Sequence, residues 1–223
     1  MVSIQRRPLG SLPVTALPWL SLRDHFVATV GPSAGTGAPL GPLLVLADAT
    51  FAPRSRFPLH PHREMEILSI VLDGDLSHHG DGADGTIVHP RGAQLISSRD
   101  GMRHAEGNDT DRPTRMLQLW LQPDRLGGAA AYHYRQLPSE PGAHLVAGDA
   151  GMPLRCDAQV WWLDVRGALQ RPLARGRRAY VLALSGALTL EGAPFPVGEG
   201  ATVSGGAPGL AGDGAVLWVD LAA

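Results

Sequence analysis

The feature that most restricts the fold of this chain is a segment that occurs twice. Ser69-Ile-Val-Leu-Asp-Gly74-Asp-Leu-Ser-His-His-Gly80 aligns with Val181-Leu-Ala-Leu-Ser-Gly186-Ala-Leu-Thr-Leu-Glu-Gly192. Further along, Arg91-Gly92-Ala93 with Ser97 aligns with Glu199-Gly200-Ala201 and a trailing Ser204, to within a residue. Each copy reads as a strand, a glycine turn, a second strand and another glycine turn. Agreement at two separate segments, in one order and at nearly one offset, points to a duplicated barrel.

The rest of the chain fits that reading. Its 28 glycines and 19 prolines cut the apolar residues into short runs, which suits many strands joined by tight turns. A first series of strands is expected at Leu43–Leu46, Met65–Leu72, Asp75–His79, Thr86–Val88, Ala93–Ser97 and Met116–Leu121. Asp73-Gly74 makes a hairpin turn between two of them. A second series is expected at Val160–Val165, Ala179–Leu184, Ala187–Glu191, Ala201–Ser204 and Ala215–Leu221. Residues 31–42 read as a loop, and the Ala-rich segment Arg125–Gln136 as a short helix. The expected fold class is all-β, with two barrels in tandem. Residues 1–137 form the first, with an N-terminal extension, 138–153 a Gly/Pro-rich linker, and 154–223 the second.

Charge and cysteine usage remove several functions. The formal charge is −2, so neither direct nucleic-acid binding nor attraction to an anionic membrane surface is expected. No run approaches the ~20 apolar residues of a membrane-spanning helix. Arg6-Arg7 precede a mildly apolar stretch, but Pro13 and Pro18 interrupt it, unlike the centre of a signal peptide. The single cysteine, Cys156, allows no intrachain disulfide and is read as a small packed side chain in a cytoplasmic protein.

The chemistry sits at the two ends of one stretch, at His60-Pro61-His62 and His104-Ala105-Glu106. Strand side chains alternate faces, so each pair points to one side, with Cα atoms ~7 Å apart. Two such strands inside a barrel bring three imidazoles and a carboxylate to one point. That donor set suits iron, copper, nickel, zinc or manganese, and the lack of thiolates argues against a closed structural zinc site. His78 and His79 alternate on one strand, so at most one faces inward. They, with His25, His89, His133 and His144, are read as surface residues or as neighbours of the ligands. Glu66 stays open as an alternative ligand, since an unbroken strand from His62 would set it on the same face, as it would Glu64. Transferring the repeat offsets places Pro172, Ala174, Gly212 and Gly214 where the first copy has His60, His62, His104 and Glu106, so the second barrel is expected to hold no metal.

His-x-His, a following Glu, a glycine turn and a later His resemble the motif pattern of the cupin superfamily. More closely, His60-Pro-His-Arg-Glu-Met-Glu-Ile-Leu-Ser-Ile-Val-Leu-Asp-Gly74, Gly101-Met-Arg-His-Ala-Glu106 and Leu117-Gln-Leu-Trp-Leu121 resemble the pirin family, and within it the shorter bacterial proteins related to quercetin 2,3-dioxygenase. The resemblance covers residues 40–125 with specific motifs and continues weakly to Ala215-Val-Leu-Trp-Val-Asp-Leu221. It implies two cupin barrels, with one divalent metal, usually iron, in the first and none in the second. It implies His60, His62, His104 and Glu106 as ligands and Glu66 as a neighbour outside the ligand set. Two departures stand out. Ala105 replaces a serine found in several relatives, and Arg99-Asp100-Gly101 brings charge to the approach to His104.

Two functions follow from the resemblance. One is a metal-dependent dioxygenase acting on a small aromatic or enolic substrate and O₂, with Glu106 as general base. The other is a non-enzymatic metal-binding regulatory module that acts through a protein partner.

Overall fold

The computed structural model describes residues 1–27 and 38–222. Most of the expected loop at 31–42 lies outside the described residues; next to it, Leu40 and Leu43 exchange backbone hydrogen bonds. Among the described residues every regular element is a strand except the 3-10 turn Leu9–Ser11. The helix expected within 125–136 is not formed. Ala131–Gln136 is a strand paired with Gly92–Ser97. Gly127 and Gly128 take φ of 76° and 99°, outside the helical region, and the alternating Tyr132 and Tyr134 favour a sheet over the alanines' helix preference. No helix among the described residues is long and apolar enough to cross a membrane.

The chain forms two compact units, one of Pro13–Leu137 with Ala150–Cys156, the other of Met1–Leu12, Pro138–Asp149 and Asp157–Ala223. In the first unit, a seven-stranded antiparallel sheet runs in the order Ala131–Gln136, Gly92–Ser97, Glu66–Asp73, Thr114–Leu121, Leu43–Phe51, Leu20–Val27, Val14–Ala16. A smaller sheet contains Ser55–Arg56, Met102–Asn108, Leu76–Gly80 and Ile87–Val88, with His60–His62 paired to Met102–Asn108. The two sheets close on each other through their inner faces. One interior cluster gathers Leu20, Phe51, Val71, Leu76 and Met116, and another gathers Ile67, Ile96 and Met102 against Trp120 and Tyr132. Each fully buried large apolar side chain contributes about 1.5–3 kcal/mol. Between these apolar rungs lies a polar one. Ser69 falls between Ile67 and Val71 on one strand, and Gln118 between Met116 and Trp120 on another, so strand alternation points both inward with their apolar neighbours.

In the second unit three strands of 13 or 14 residues, Ala158–Gln170, Arg177–Leu190 and Gly209–Ala222, pair along their whole lengths. The N-terminal strand Ser3–Arg7 joins this sheet on Gly200–Ser204, and Arg6 Nη1 donates to Glu199 at 2.7 Å. The stretch 138–153 contains the strand Ala143–Ala147, paired with Ala158–Gln170.

The duplication is visible at its turns. Gly74 and Gly186 both have positive φ, at 73° and 82°. A Cβ on Gly74 would meet the Pro113 carbonyl at 2.5 Å, and one on Gly186 would run into the Asp213 carbonyl. Glu66 pairs with Ser97 as its counterpart Arg178 pairs with Ser204. Register also corrects the offset transfer. His78 lies across from Glu106, and its counterpart Leu190 lies across from Leu210, so Leu210 rather than Gly214 stands in the place of Glu106. The turns leading into that last strand differ in length, and a constant offset cannot follow them.

Candidate metal centre

The pairing of His60–His62 with Met102–Asn108 sets Met102 against His62, Arg103 against Pro61 and His104 against His60. Alternation turns Pro61 and Arg103 outward and all three imidazoles inward. Their ring centroids are 4.7 Å (His60–His62), 4.8 Å (His60–His104) and 4.9 Å (His62–His104) apart. One donor nitrogen from each lies within 4.8 Å of the others, and these three residues form the only such group among the described residues.

Each ring has its own surroundings. His60 Nδ1–H donates to the Pro58 carbonyl at 2.7 Å, which orients the ring with Nε2 as the nitrogen available to a metal. His62 packs edge-on against Trp120, with centroids 4.9 Å apart. Burial, reinforced by the neighbouring imidazoles His104 and His60, lowers the His62 pKa to about 4. Burial, with His60 and His78 beside it, lowers that of His104 to about 3. Both rings are therefore unprotonated at neutral pH, as coordination requires. His104 Nδ1 is buried without a hydrogen-bond partner. Three imidazoles beside a carboxylate fit a divalent transition metal.

Glu106 lies two residues beyond His104 on the same face and is 1% exposed. Its carboxylate is outside the set of mutually close donor atoms. Instead it accepts three hydrogen bonds from the facing sheet. Ser69 Oγ and Gln94 Nε2 donate to Oε1 at 2.5 Å each, and Gln118 Nε2 donates to Oε2 at 2.5 Å. Oε2 keeps the greater unused accepting capacity.

Glu66 is not brought to this centre. Residues 63–65 break the strand, with Glu64 at φ 50°, so the parity carried over from His62 is lost. Glu66 instead faces opposite to Ser69, where Ser97 Oγ donates to it at 2.5 Å and burial raises its pKa. Glu64 accepts the Gly127 N–H at 2.8 Å.

Of the remaining histidines, His78 is the one of its pair that faces inward. It is fully buried, with its ring 5.4 Å from that of His104 and 5.0 Å from Tyr132. His79 turns to Asp109 at 2.8 Å, and His89 to Asp75 at 2.8 Å. His25, expected near the surface or beside the ligands, is 1% exposed on Leu20–Val27. Sequence reasoning missed Ser69, Gln94, Gln118, Trp120 and Tyr132. A signal existed in a polar residue at the inward register of an apolar strand, but the inward register is known only once strands are paired.

An open cleft of about 540 Å³ is lined by the outward-turned Pro61 and Arg103 together with His62, Arg63, Asp81 and Asp100; of the three imidazoles only His62 borders it. Of the charges expected at this mouth, Asp100 lines it, whereas Arg99 Nε turns to Ser97 Oγ at 3.2 Å.

The chain is similar along most of its length to known proteins. A sequence profile of the family described as Pirin matches residues 13–121. A pirin-like protein of Caulobacter vibrioides is 30% identical over 213 residues, covering 90% of each chain. A quercetin 2,3-dioxygenase of Escherichia coli O157:H7 is 27% identical over 169 residues, covering 72% of this chain and 73% of that one. The crystal structure of YhhW from Escherichia coli superposes with a TM-score of 0.90 at 23% identity, covering 98% of this chain and 97% of that one. The structure of that bacterial pirin in complex with nickel(II) superposes with a TM-score of 0.89, covering 99% of both chains. The fold is thus the two-barrel cupin arrangement, and the identity shared along nine-tenths of the Caulobacter protein places this chain in the pirin family.

Proposed function

We propose that the protein is a metal-dependent dioxygenase acting on a flavonol-like or other enolic aromatic substrate, with one divalent ion, iron in the first instance, held by His60, His62, His104 and Glu106. The observation that carries this reading is the convergence of three inward-facing imidazoles, two of them with lowered pKa, with the buried Glu106 carboxylate on the same face. Similarity to a protein named quercetin 2,3-dioxygenase supports the reaction class. A bound ion supplies Lewis acidity toward a substrate hydroxyl and a place for O₂ next to it.

The chain's own residues do the rest. His60, His62 and His104 present ring nitrogens from one face of two paired strands. Glu106 adds the negative charge and, at Oε2, the atom able to take the hydroxyl proton as general base. Its Oε1 is engaged twice, by Ser69 and Gln94, which leaves it little further accepting capacity. Trp120, Ile67, Ile96 and Met102 surround the ligands with apolar surface that limits water. In the ring cleavage proposed, the substrate itself supplies the four electrons that reduce O₂ and both oxygen atoms enter the products, so no separate reductant is needed. The single cysteine fits a reducing compartment, and we place the protein in the cytoplasm.

The test is elemental analysis of the purified protein followed by O₂ uptake with a panel of flavonols. About one ion per chain and substrate-dependent uptake are expected, both lost in His104→Ala while the circular dichroism spectrum is kept. Stoichiometric metal without O₂ uptake on any enolic substrate would instead favour a metal-binding regulatory module. Unchanged metal in His104→Ala would show the ligands to be elsewhere.

A further inference from the structure

The two glutamine amides on Glu106 are themselves held by aromatic donors. Tyr132 O–H donates to Gln94 Oε1 at 2.9 Å, and Trp120 Nε1–H donates to Gln118 Oε1 at 3.2 Å. A side-chain amide has one oxygen and one NH₂, and fixing the oxygen fixes where the NH₂ points. With each oxygen turned to an aromatic donor, both NH₂ groups face the carboxylate, Gln94 at Oε1 and Gln118 at Oε2. The reverse orientation would set an amide oxygen against a carboxylate oxygen, which is repulsive. Tyr132 is half-buried, and burial pushes its phenol well above the ordinary value, so it remains a donor.

The same two aromatics also touch the imidazole side of the centre. Trp120 packs edge-on against His62, and Tyr132 packs on His78, whose ring lies against His104. They come from different strands: Trp120 from Thr114–Leu121, which also carries Gln118, and Tyr132 from Ala131–Gln136, which pairs with the strand of Gln94.

We propose that Tyr132 and Trp120 are positioning residues that orient Glu106 toward the histidine triad by locking the amides of Gln94 and Gln118. Neither touches the carboxylate. Each acts one hydrogen bond removed, so that removing a single O–H or N–H frees an amide to rotate and loosens Glu106. This rests on Glu106 being a ligand, as proposed above.

The test is a double-mutant cycle on metal affinity, which needs no substrate. Co²⁺ dissociation constants would be measured by competition with a chelator, with the visible cobalt spectrum, for wild type, Tyr132→Phe, Trp120→Phe, Glu106→Gln and the two doubles. Tyr132→Phe keeps the ring and Trp120→Phe keeps an aromatic side chain smaller than the indole, and melting of the metal-free proteins checks the fold. Tyr132→Phe and Trp120→Phe should each weaken Co²⁺ binding about 10-fold, at the lower end of the effect of removing a partner outside the ligand set. Each should alter the cobalt spectrum. In the Glu106→Gln background neither should weaken binding further. Equal losses in the presence and absence of Glu106 would overturn the relay, as would aromatic variants that bind like wild type while Glu106→Gln binds weakly. If Glu106→Gln itself binds Co²⁺ as wild type does, the ligand assignment falls and the relay with it.

Discussion

Ser69, Gln94 and Gln118 meet Glu106 inside the first unit. In the second unit, Val181 is the counterpart of Ser69, and pairing register places Ala201 and Trp218 beside it, where Gln94 and Gln118 flank Ser69. Leu190 and Leu210 replace the facing pair His78 and Glu106. All five substitutes belong to one buried apolar cluster. Two copies of one scaffold have thus filled the same rung in opposite ways. The second turns it into core that contributes burial energy. The first keeps it polar, at the cost of desolvating groups that must then satisfy each other. The backbone pairing is alike in both, so the strand ladders do not need the polar rung. What it does is hold a carboxylate beside three imidazoles.

The sharpest way to break this comparison is to give the second unit the first unit's charge. Leu210→Glu would set a carboxylate in the apolar cluster of Trp218, Val181 and Ala201, where the unpaired Trp218 indole N–H is the donor at hand in place of the three that meet Glu106. The expected loss is about 4–5 kcal/mol, seen as early unfolding of that unit in guanidinium. A well-folded variant would mean that the second interior is not the closed apolar core described.

The reciprocal change should cost less. Glu106→Leu leaves the Ser69 hydroxyl and both glutamine amides without an acceptor, a loss of about 3 kcal/mol after the gain from the buried leucine. Adding Ser69→Val and Gln94→Ala, the residues of the second unit, should restore part of it, because both partners of a hydrogen bond then leave together. Chemical denaturation of the metal-free proteins reads both steps. No recovery in the triple variant would show that the two rungs are not interchangeable.

Acid should separate the units more gently. His104 titrates at about 3 in the fold against 6.5 as the reference for the unfolded chain, and His62 at about 4. The unfolded chain therefore binds more protons below about pH 6.5, and the metal-free first unit loses stability as pH falls from there. The loss levels off once the pH passes the folded values. For the buried His104 the loss is on the order of 2 kcal/mol by pH 5. The apolar cluster of the second unit holds no histidine and should contribute no such slope. Unfolding at pH 7 and pH 5 after chelator treatment, followed by probes in each unit, checks this; a slope confined to the second unit would contradict it.

The smallest effect is expected at Glu66. It lies on the other face of the sheet from Ser69, and Gln can still accept from Ser97. Because burial raises its pKa, removing the charge should change stability by less than about 1 kcal/mol. Metal content should be unchanged. A Glu66→Gln protein that loses its metal would return Glu66 to the centre.

Much of this was legible in the chain. The repeat around Gly74 and Gly186 carried the two-barrel fold, because a positive φ beside a facing strand excludes other residues. His60-x-His62 and the later His104 carried the triad, because period-two alternation is a local property of any strand. Other features required the paired strands. The helix expected over 125–136 gave way to a strand whose ladder with Gly92–Ser97 outweighs local propensity. The alternative of Glu66 on the face of His62 needed an unbroken strand, and Glu64 at φ 50° breaks it. Gln94, Gln118, Trp120 and Tyr132 became site residues only through register, since their roles depend on which strands lie side by side. Local spacing determined which side chains share a face. The sheet pairing, set by loop lengths and burial across the whole unit, decided what each face meets.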